Sequence, residues 1–310
     1  MPPVPPPIAW SDWQALPGDW SPSPAVLAET LDGGQAFCWW SDASGVWTGR
    51  WAEHVVQLRH TGRQLAWRTL AGAAAAAGPA LARYLGLDLD WAALTDRLPW
   101  RTDAHLAACL GEYPGLRILR QPLGETLLGY LCSATKQIVQ IKQMLALLAA
   151  HHGAPLGGTG PPPPAAGGDA ALPCRQLPGW SELAAIPEAE LRRCQLGFRA
   201  RFIRETALFL AARPDWLETT GRLPYPEAKA RLLELPGVGE KVADCVLLFG
   251  AGRLEAFPVD VWILKALARR YGLAEWKPAQ VAQFGRAHFG PLAGLAQQYL
   301  FSWERRHGHR

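Results

Sequence analysis

The sequence lacks the features that mark membrane-bound and secreted proteins. No apolar run reaches the roughly 20 residues that a membrane-spanning helix needs. The N-terminal MPPVPPPIAW has neither a basic start nor an apolar core. We therefore expect an intracellular protein that is not bound to a membrane, in the cytoplasm or nucleoid if the source is bacterial.

Closely spaced cysteines are also missing. The six cysteines are far apart and form no CxxC pair, which argues against a zinc site and a disulfide framework. None follows Cys245, so an iron–sulfur cluster bound by a C-terminal cysteine loop is excluded. We expect no required cofactor.

Charge of either sign is moderate. The 310 residues are 49% hydrophobic and 19% charged, which is ordinary for a globular protein with two or three cores. A net charge of +4 allows a polyanionic partner but does not identify one.

The patterning predicts an α+β protein, in which an N-terminal antiparallel β-sheet domain packs on a mostly α-helical body. Residues 1–24 are a Pro-rich arm, residues 25–120 a β domain with helices, and residues 121–310 a helical domain. The alternating segments VWTGRW, HVVQLRH and RQLAWRT predict an antiparallel meander. Residues 151–173 contain GGTGPPPPAAGG, which cannot pack a core and predicts a surface insertion.

A short turn near residue 237 joins two apolar helical patterns. In LPGVG, Pro236, Gly237 and Gly239 lie where a tight helix-to-helix turn needs them. Such a hairpin presents successive backbone N–H groups at a helix N-terminus, and these groups bind a phosphate without side chains. The segment predicts a clamp for a DNA backbone.

Lys241 and Asp260 follow the turn. Lys241 begins a helix whose dipole disfavours its ammonium form, so it is a candidate nucleophile, and Asp260 is a candidate charge stabiliser. Cys245, four residues after Lys241, shares its helix face. A structural alternative stays open: a solvated Lys241, a core thiol at Cys245 and a helix N-cap at Asp260.

The segment LPGVGEKVADC followed by FPVDVW resembles the helix-hairpin-helix DNA glycosylases, and specifically the 8-oxoguanine DNA glycosylase/AP lyase family. The resemblance extends from GGQAFCWW through LRILRQPLGETLLGYLCSATKQI and LGFRARFI to GLAQQYLF. It covers most of the chain apart from the N-terminal arm and the insertion. Several blocks in order are more specific than a lone hairpin.

The resemblance implies a bifunctional N-glycosylase and AP lyase that flips 8-oxoguanine out of double-stranded DNA. Lys241 would attack the sugar C1′ and form a Schiff base, from which β-elimination follows. Asp260 would stabilise the positive sugar. A monomer is expected, with lesion-containing duplex DNA as the partner.

The family pattern also implies a base pocket. Its residues are Gly34, Cys245, Gln297, Phe301, Phe249 and Tyr130. The carbonyl of Gly34 would accept the N7 proton that 8-oxoguanine has and guanine lacks. Cys245 and Phe301 would sandwich the base, and Gln297 would read its Watson–Crick edge.

The implied DNA contacts are Arg199, Phe198, Thr135, Gln140, Gly237, Gly239 and Trp262. Arg199 would read the unpaired cytosine, with Phe198 wedged beside it. Thr135 stands where the animal enzymes have an asparagine, and Gln140 where they have a second cytosine-reading arginine. These departures predict a relaxed preference for the opposite base. Trp262 replaces a histidine, which puts one phosphate contact in doubt.

A structural monovalent or calcium ion on the carbonyls of Leu233, Leu235 and Val238 is also implied by the resemblance. The alternatives to the main prediction are a helix-hairpin-helix glycosylase for another damaged base and a non-catalytic DNA-binding module. The missing iron–sulfur cysteines argue against an oxidised-pyrimidine enzyme, and the lysine argues against an alkylated-base enzyme. Lys241 and Asp260 together argue against the non-catalytic module.

Overall fold

The computed structural model describes residues 9–62, 64–156 and 175–308. The strands are β1 (Gln14–Ala15), β2 (Trp39–Ser41), β3 (Trp47–Trp51), β4 (His54–His60) and β5 (Leu65–Thr69). The α-helices up to the predicted insertion are α1 (Pro24–Asp32), α2 (Ala74–Tyr84), α3 (Trp91–Asp96), α4 (Ala104–Glu112), α5 (Leu123–Cys132) and α6 (Ile138–His152). Those that follow are α7 (Trp180–Ala185), α8 (Glu188–Leu191), α9 (Arg199–Ala211), α10 (Trp216–Arg222), α11 (Tyr225–Leu232), α12 (Glu240–Ala251), α13 (Val261–Tyr271), α14 (Pro278–Phe289) and α15 (Ala293–His307). A π-helical turn covers Arg192–Leu196 and a 3-10 turn covers Gly290–Leu292.

The sheet is antiparallel, and its strand order is β1-β5-β4-β3-β2. The last four strands form the predicted meander. The first strand comes from the predicted N-terminal arm, where Gln14 pairs with Trp67. Sheet and helices together confirm the predicted α+β class. Residues 1–8 of the predicted arm lie outside the described residues.

Aromatic side chains form the core against one face of the sheet. The rings of Trp51 and Tyr84 have centroids 4.4 Å apart, and Trp39 Nε1 donates to the Tyr84 hydroxyl at 3.1 Å. Gly49 allows this packing, because a Cβ at that position would lie 2.5 Å from the Trp39 ring. A closely packed β surface of this kind is typical of Trp-rich strands.

The described residues divide into two compact units. One falls within Met1–Ser21, Ala36–Leu87 and Leu128–Pro214 and is called the sheet unit. The other falls within Pro22–Gln35, Asp88–Leu127 and Asp215–Arg310 and is called the hairpin unit, because it contains α11 and α12. The linear division of the chain at residue 120 stays a prediction.

Most of the predicted insertion at 151–173 lies outside the described residues. Its flanks are described: α6 continues to His152, and Pro155 forms an antiparallel bridge with Arg175. Pro155 and Arg175 therefore lie side by side. In the part of the chain that is described, no helix is long and apolar enough to cross a membrane.

Candidate active site

The LPGVG segment forms the turn between α11 and α12. The carbonyl of Leu235 accepts a hydrogen bond from the Val238 N–H at 3.1 Å, and Gly237 has a φ of 79°, which favours glycine. Gly239 is the N-cap of α12 and supplies no side-chain cap. The predicted helix-to-helix hairpin is confirmed, and the N-terminus of α12 carries no capping side chain at its first position.

Asp260 caps α13. Its Oδ1 accepts hydrogen bonds from the N–H groups of Trp262 at 3.0 Å and Ile263 at 2.9 Å. Asp260 is therefore an N-cap, as the structural alternative for this residue stated. Both bonds go to Oδ1, so capping occupies one carboxylate oxygen.

Lys241 lies in the first turn of α12, half-buried, and its charge acts on Asp260. Burial raises the pKa of the Asp260 carboxyl, while the Ile263 N–H and the positive Lys241 oppose this rise. A carboxylate that is both desolvated and close to a lysine is an arrangement common at catalytic sites.

The face of α12 that carries Lys241 continues into two buried side chains. Cys245 and Phe249 follow at intervals of four residues and are each 3% exposed. Gly294 brings α15 against this helix, since a Cβ there would lie 2.4 Å from Leu248 Cδ1. The hairpin unit thus packs α12 against α15.

Gln297 and Phe301 share one face of α15. Gln297 is 5% exposed, and its Oε1 has no hydrogen-bond partner among the described residues. A buried amide oxygen left in this state costs free energy unless a ligand supplies a donor. Phe301 is half-buried, with the Arg305 guanidinium 5.8 Å from its ring centroid.

Gly34 has a φ of 107° and precedes Gln35, a residue that the sequence analysis did not single out. The fully buried Gln35 side chain donates to the Arg117 carbonyl at 2.9 Å and accepts from the Leu119 N–H at 3.0 Å. These bonds fix the backbone next to Gly34. The only sequence signal was a polar residue inside the apolar GGQAFCWW.

Arg199 is 3% exposed and lies in the sheet unit. Its Nη2 donates to Thr135 Oγ1 at 2.9 Å and to the Ala134 carbonyl, and its Nη1 donates to the Leu196 carbonyl at 3.2 Å. Burial lowers the pKa of the Arg199 guanidinium. Thr135 has a φ of 55°, a strained conformation for a β-branched residue.

The other predicted contacts to the partner strand also belong to the sheet unit. Phe198 is 53% exposed, and the Arg199 guanidinium lies 4.3 Å from its ring centroid. Gln140 caps its own helix, because its Oε1 accepts from the Gln137 N–H at 3.1 Å. Tyr130 is buried and packs edge-on against Phe37, whereas the other five predicted pocket residues lie in the hairpin unit.

Trp262, in the first turn of α13, is half-buried in the hairpin unit. The Lys265 Nζ lies 4.9 Å from its ring centroid. The helix end that Asp260 caps therefore also carries a lysine held over an aromatic ring.

Known proteins share this architecture. A family model for the N-terminal domain of 8-oxoguanine DNA glycosylase matches residues 20–127. A probable N-glycosylase/DNA lyase of Methanothermobacter thermautotrophicus is 43% identical over 119 residues, which are 38% of this chain and 38% of that protein.

Two solved structures match over nearly the full chain. The 8-oxoguanine glycosylase/lyase of Clostridium acetobutylicum, in complex with duplex DNA containing cytosine opposite 8-oxoguanine, gives a TM-score of 0.81 at 28% identity, covering 91% of this chain and 92% of that one. MBOgg1, in complex with a low-affinity DNA ligand, gives a TM-score of 0.80 at 30% identity, covering 90% and 92%.

The sheet, the hairpin and the capped aspartate define a DNA glycosylase of the helix-hairpin-helix class. Within that class, the chain belongs to the 8-oxoguanine DNA glycosylase/lyase family.

Proposed function

We propose that this protein excises 8-oxoguanine from double-stranded DNA and then cleaves the strand at the resulting site. The observation that carries the proposal is the desolvated Asp260 carboxyl at the start of α13, on which the positive charge of Lys241 acts. Similarity to a glycosylase/lyase solved on DNA with cytosine opposite 8-oxoguanine supports the choice of lesion.

In the proposed reaction the neutral Lys241 amine attacks C1′ of the flipped nucleotide. The N-glycosidic bond breaks, and the base leaves with its electron pair and takes up a proton. The bound amine loses a proton and expels the ring oxygen O4′, which takes up a proton, so that the opened sugar is held as a Schiff base. Loss of a proton from C2′ then expels the 3′ phosphate by β-elimination, which breaks the C3′–O bond. Asp260 stabilises the positive charge that develops on the sugar and helps to deprotonate Lys241.

Recognition of the base rests on Gly34 and Gln297. The Gly34 carbonyl accepts the N7 proton of 8-oxoguanine, so a single hydrogen bond discriminates it from guanine. The unpaired, buried Oε1 of Gln297 supplies an acceptor for the N–H donors on the Watson–Crick edge. Cys245 and Phe301 contact the two faces of the ring, with Phe249 at the pocket wall.

The hairpin N–H groups at Gly237 and Gly239 contact a DNA phosphate. The carbonyls of Leu233, Leu235 and Val238 suit a monovalent or calcium ion, because carbonyl oxygens are hard ligands. The Leu235 carbonyl accepts one bond, from Val238, which leaves its second lone pair for a cation. Such an ion would be structural.

Borohydride trapping tests this proposal. With duplex containing 8-oxoguanine, the wild-type protein should form a covalent protein–DNA adduct, and Lys241→Gln should form none, because the adduct requires the amine. Lys265→Gln is the control, since it removes a nearby lysine that takes no covalent part. Trapping that persists in Lys241→Gln would contradict the assigned nucleophile.

The choice of DNA separates the alternatives. A glycosylase for another damaged base would give the adduct with a different lesion and none with 8-oxoguanine. A non-catalytic module would bind the duplex and give no adduct with any lesion.

A further inference from the structure

A cluster of polar side chains joins the two helices of the hairpin. Tyr225 and Lys229 come from α11, and Glu240 and Asp244 come from α12. The Tyr225 hydroxyl donates to Asp244 Oδ1 at 2.7 Å, and Lys229 Nζ donates to Asp244 Oδ2 at 3.0 Å. Lys229 Nζ also lies 2.7 Å from Glu240 Oε2. These four residues are called the hairpin clip.

The clip is largely buried. The Asp244 side chain is 2% exposed and that of Lys229 is 12% exposed, whereas Glu240 is open to solvent. Burial raises the pKa of the Asp244 carboxyl, and Lys229 opposes the rise. A buried ion pair is poor evidence for stability, because desolvation offsets most of its attraction, but it restricts the geometry of the groups it joins.

The hairpin clip includes residues on both sides of Lys241 in the sequence. Its two carboxylates, at 240 and 244, lie on either side of Lys241 in the first turns of α12. This helix starts at Gly239 with no side-chain cap. A serine or aspartate cap would stabilise the turn, but it would occupy N–H groups that a phosphate needs.

The clip stabilises the same turn from the neighbouring helix. It does so without a side chain at the N-cap position, where a capping group would bond to the N–H groups at the start of α12. Lys229 also offsets the negative charge of Glu240, which would otherwise repel a phosphate at the helix N-terminus.

We propose that Asp244, Lys229 and Tyr225 are positioning residues that hold the first turn of α12, and with it Lys241, in place of an N-cap. This inference rests on the proposed function, because it assigns the turn to DNA binding and Lys241 to chemistry. None of the three residues takes part in the reaction itself.

The hairpin unit offers a matched control. In a second buried cluster, the Tyr271 hydroxyl donates to Asp103 Oδ2 at 2.8 Å, and His288 Nε2 lies 3.0 Å from the same oxygen. Asp103 is 8% exposed and caps α4. Tyr225→Phe and Tyr271→Phe therefore each remove one tyrosine–carboxylate hydrogen bond from a buried acid, and only the first is in the clip.

The experiment compares these variants in urea unfolding, in single-turnover trapping at saturating 8-oxoguanine duplex, and in affinity for undamaged duplex. Both should lose similar stability. Tyr225→Phe should trap about 10- to 100-fold more slowly, since a small misplacement of a reacting group costs that much. Tyr271→Phe should trap within about twofold of wild type. Equal rates for the two variants would overturn the proposal.

Lys229→Met provides a second test that does not depend on chemistry. It should weaken binding to undamaged duplex, most at low salt, because Glu240 would lose its counter-charge and Asp244 would be left with the weaker influence of Arg286. Lys229→Met/Glu240→Gln should recover part of the loss. Arg222→Met is the charge-matched control, because Arg222 pairs with Glu218 on an exposed surface of the same unit.

Unchanged affinity in Lys229→Met would count against the clip even if trapping failed in every variant. Absence of trapping in wild-type protein would count against the proposed function instead. The two failures are therefore distinguishable.

Discussion

The two units differ in which residue types have positive φ. In the hairpin unit, the described residues with positive φ are glycines, such as Gly34 and Gly237. In the sheet unit, the non-glycine residues Ala52, Thr135 and Gln195 also have positive φ. Two of these residues lie near Arg199. Thr135 accepts a hydrogen bond from the Arg199 guanidinium, and Gln195 lies four positions before Arg199 in the chain.

This difference bears on the proposed roles of the units. The catalytic candidates Lys241 and Asp260 lie at the starts of two regular helices, so their geometry follows from unstrained local structure. Among the candidate readers of the partner strand, Thr135 has a strained backbone, which surrounding contacts such as the one to Arg199 must hold. We infer that the lesion chemistry is set more rigidly than the reading of the opposite base.

The largest expected effect is that of Asp260→Asn on the hairpin unit. Excision should fall by about 10²–10³-fold, because the charge that stabilises the sugar is removed. The fold should become more stable near neutral pH, since asparagine caps a helix about as well as aspartate and has no buried charge to desolvate. Single-turnover kinetics and thermal unfolding measure the two effects.

The stability gain in Asp260→Asn should depend on pH. Because burial raises the folded-state pKa of Asp260, the protonated carboxyl favours the wild-type fold at low pH, and this contribution is lost as pH rises through the raised pKa. The stability advantage of the variant over wild type should therefore grow as pH rises from the ordinary pKa of a carboxyl group to the raised pKa of Asp260. An advantage that shrinks over that range would contradict the assigned burial.

Gly34→Ala is expected to have the next largest effect. At a φ of 107° an alanine is strained by about 1–3 kcal/mol, and relief of the strain would move the carbonyl that we propose as the acceptor for the base. Discrimination of 8-oxoguanine from guanine should fall by about tenfold, the value of one hydrogen bond. Gly272→Ala, at a φ of 71° after α13, is the control: it should lose stability and keep discrimination.

In the sheet unit, wild type should discriminate weakly among bases opposite the lesion, because a second arginine contact worth about 1–3 kcal/mol is missing. Thr135→Asn should sharpen the preference for cytosine. It should also stabilise the fold by about 1 kcal/mol, since asparagine tolerates positive φ. Cleavage rates opposite C, A, T and G measure the preference.

Ala52→Asn is the control for Thr135→Asn. It relieves strain at a φ of 45° in the same unit and touches no partner-strand candidate. It should leave the ratio of cleavage rates unchanged. A wild-type preference for cytosine as sharp as that of the animal enzymes would refute the prediction for the sheet unit.

The features that the sequence predicted are those with local causes. The hairpin follows from glycines within one turn, and the cap at Asp260 follows from its own backbone neighbours. The helix α1 was missed although Ser23, which accepts from the Val26 N–H, and Pro24 are a local start signal.

The features that the sequence did not predict depend on distant partners. Gln35 bonds to Leu119, 84 positions along the chain, and Arg199 bonds to Thr135, 64 positions away. The hairpin clip spans a shorter interval, but it requires the relative rotation of α11 and α12. No periodicity in the sequence fixes that rotation.

Gln140→Ala should have the smallest effect on stability and cleavage. It tests whether Gln140 only caps its helix. Loss of the bond to the Gln137 N–H should cost about 0.5–1 kcal/mol of stability. Gln280→Ala is a matched control in the hairpin unit, because Gln280 Oε1 accepts from the Lys277 N–H at 2.9 Å in the same way. If Gln140 is only a cap, both variants lose similar stability and neither changes the ratio of cleavage rates. A changed ratio in Gln140→Ala alone would mean that the residue also reads the partner strand, and the strained unit would then hold a second direct reader.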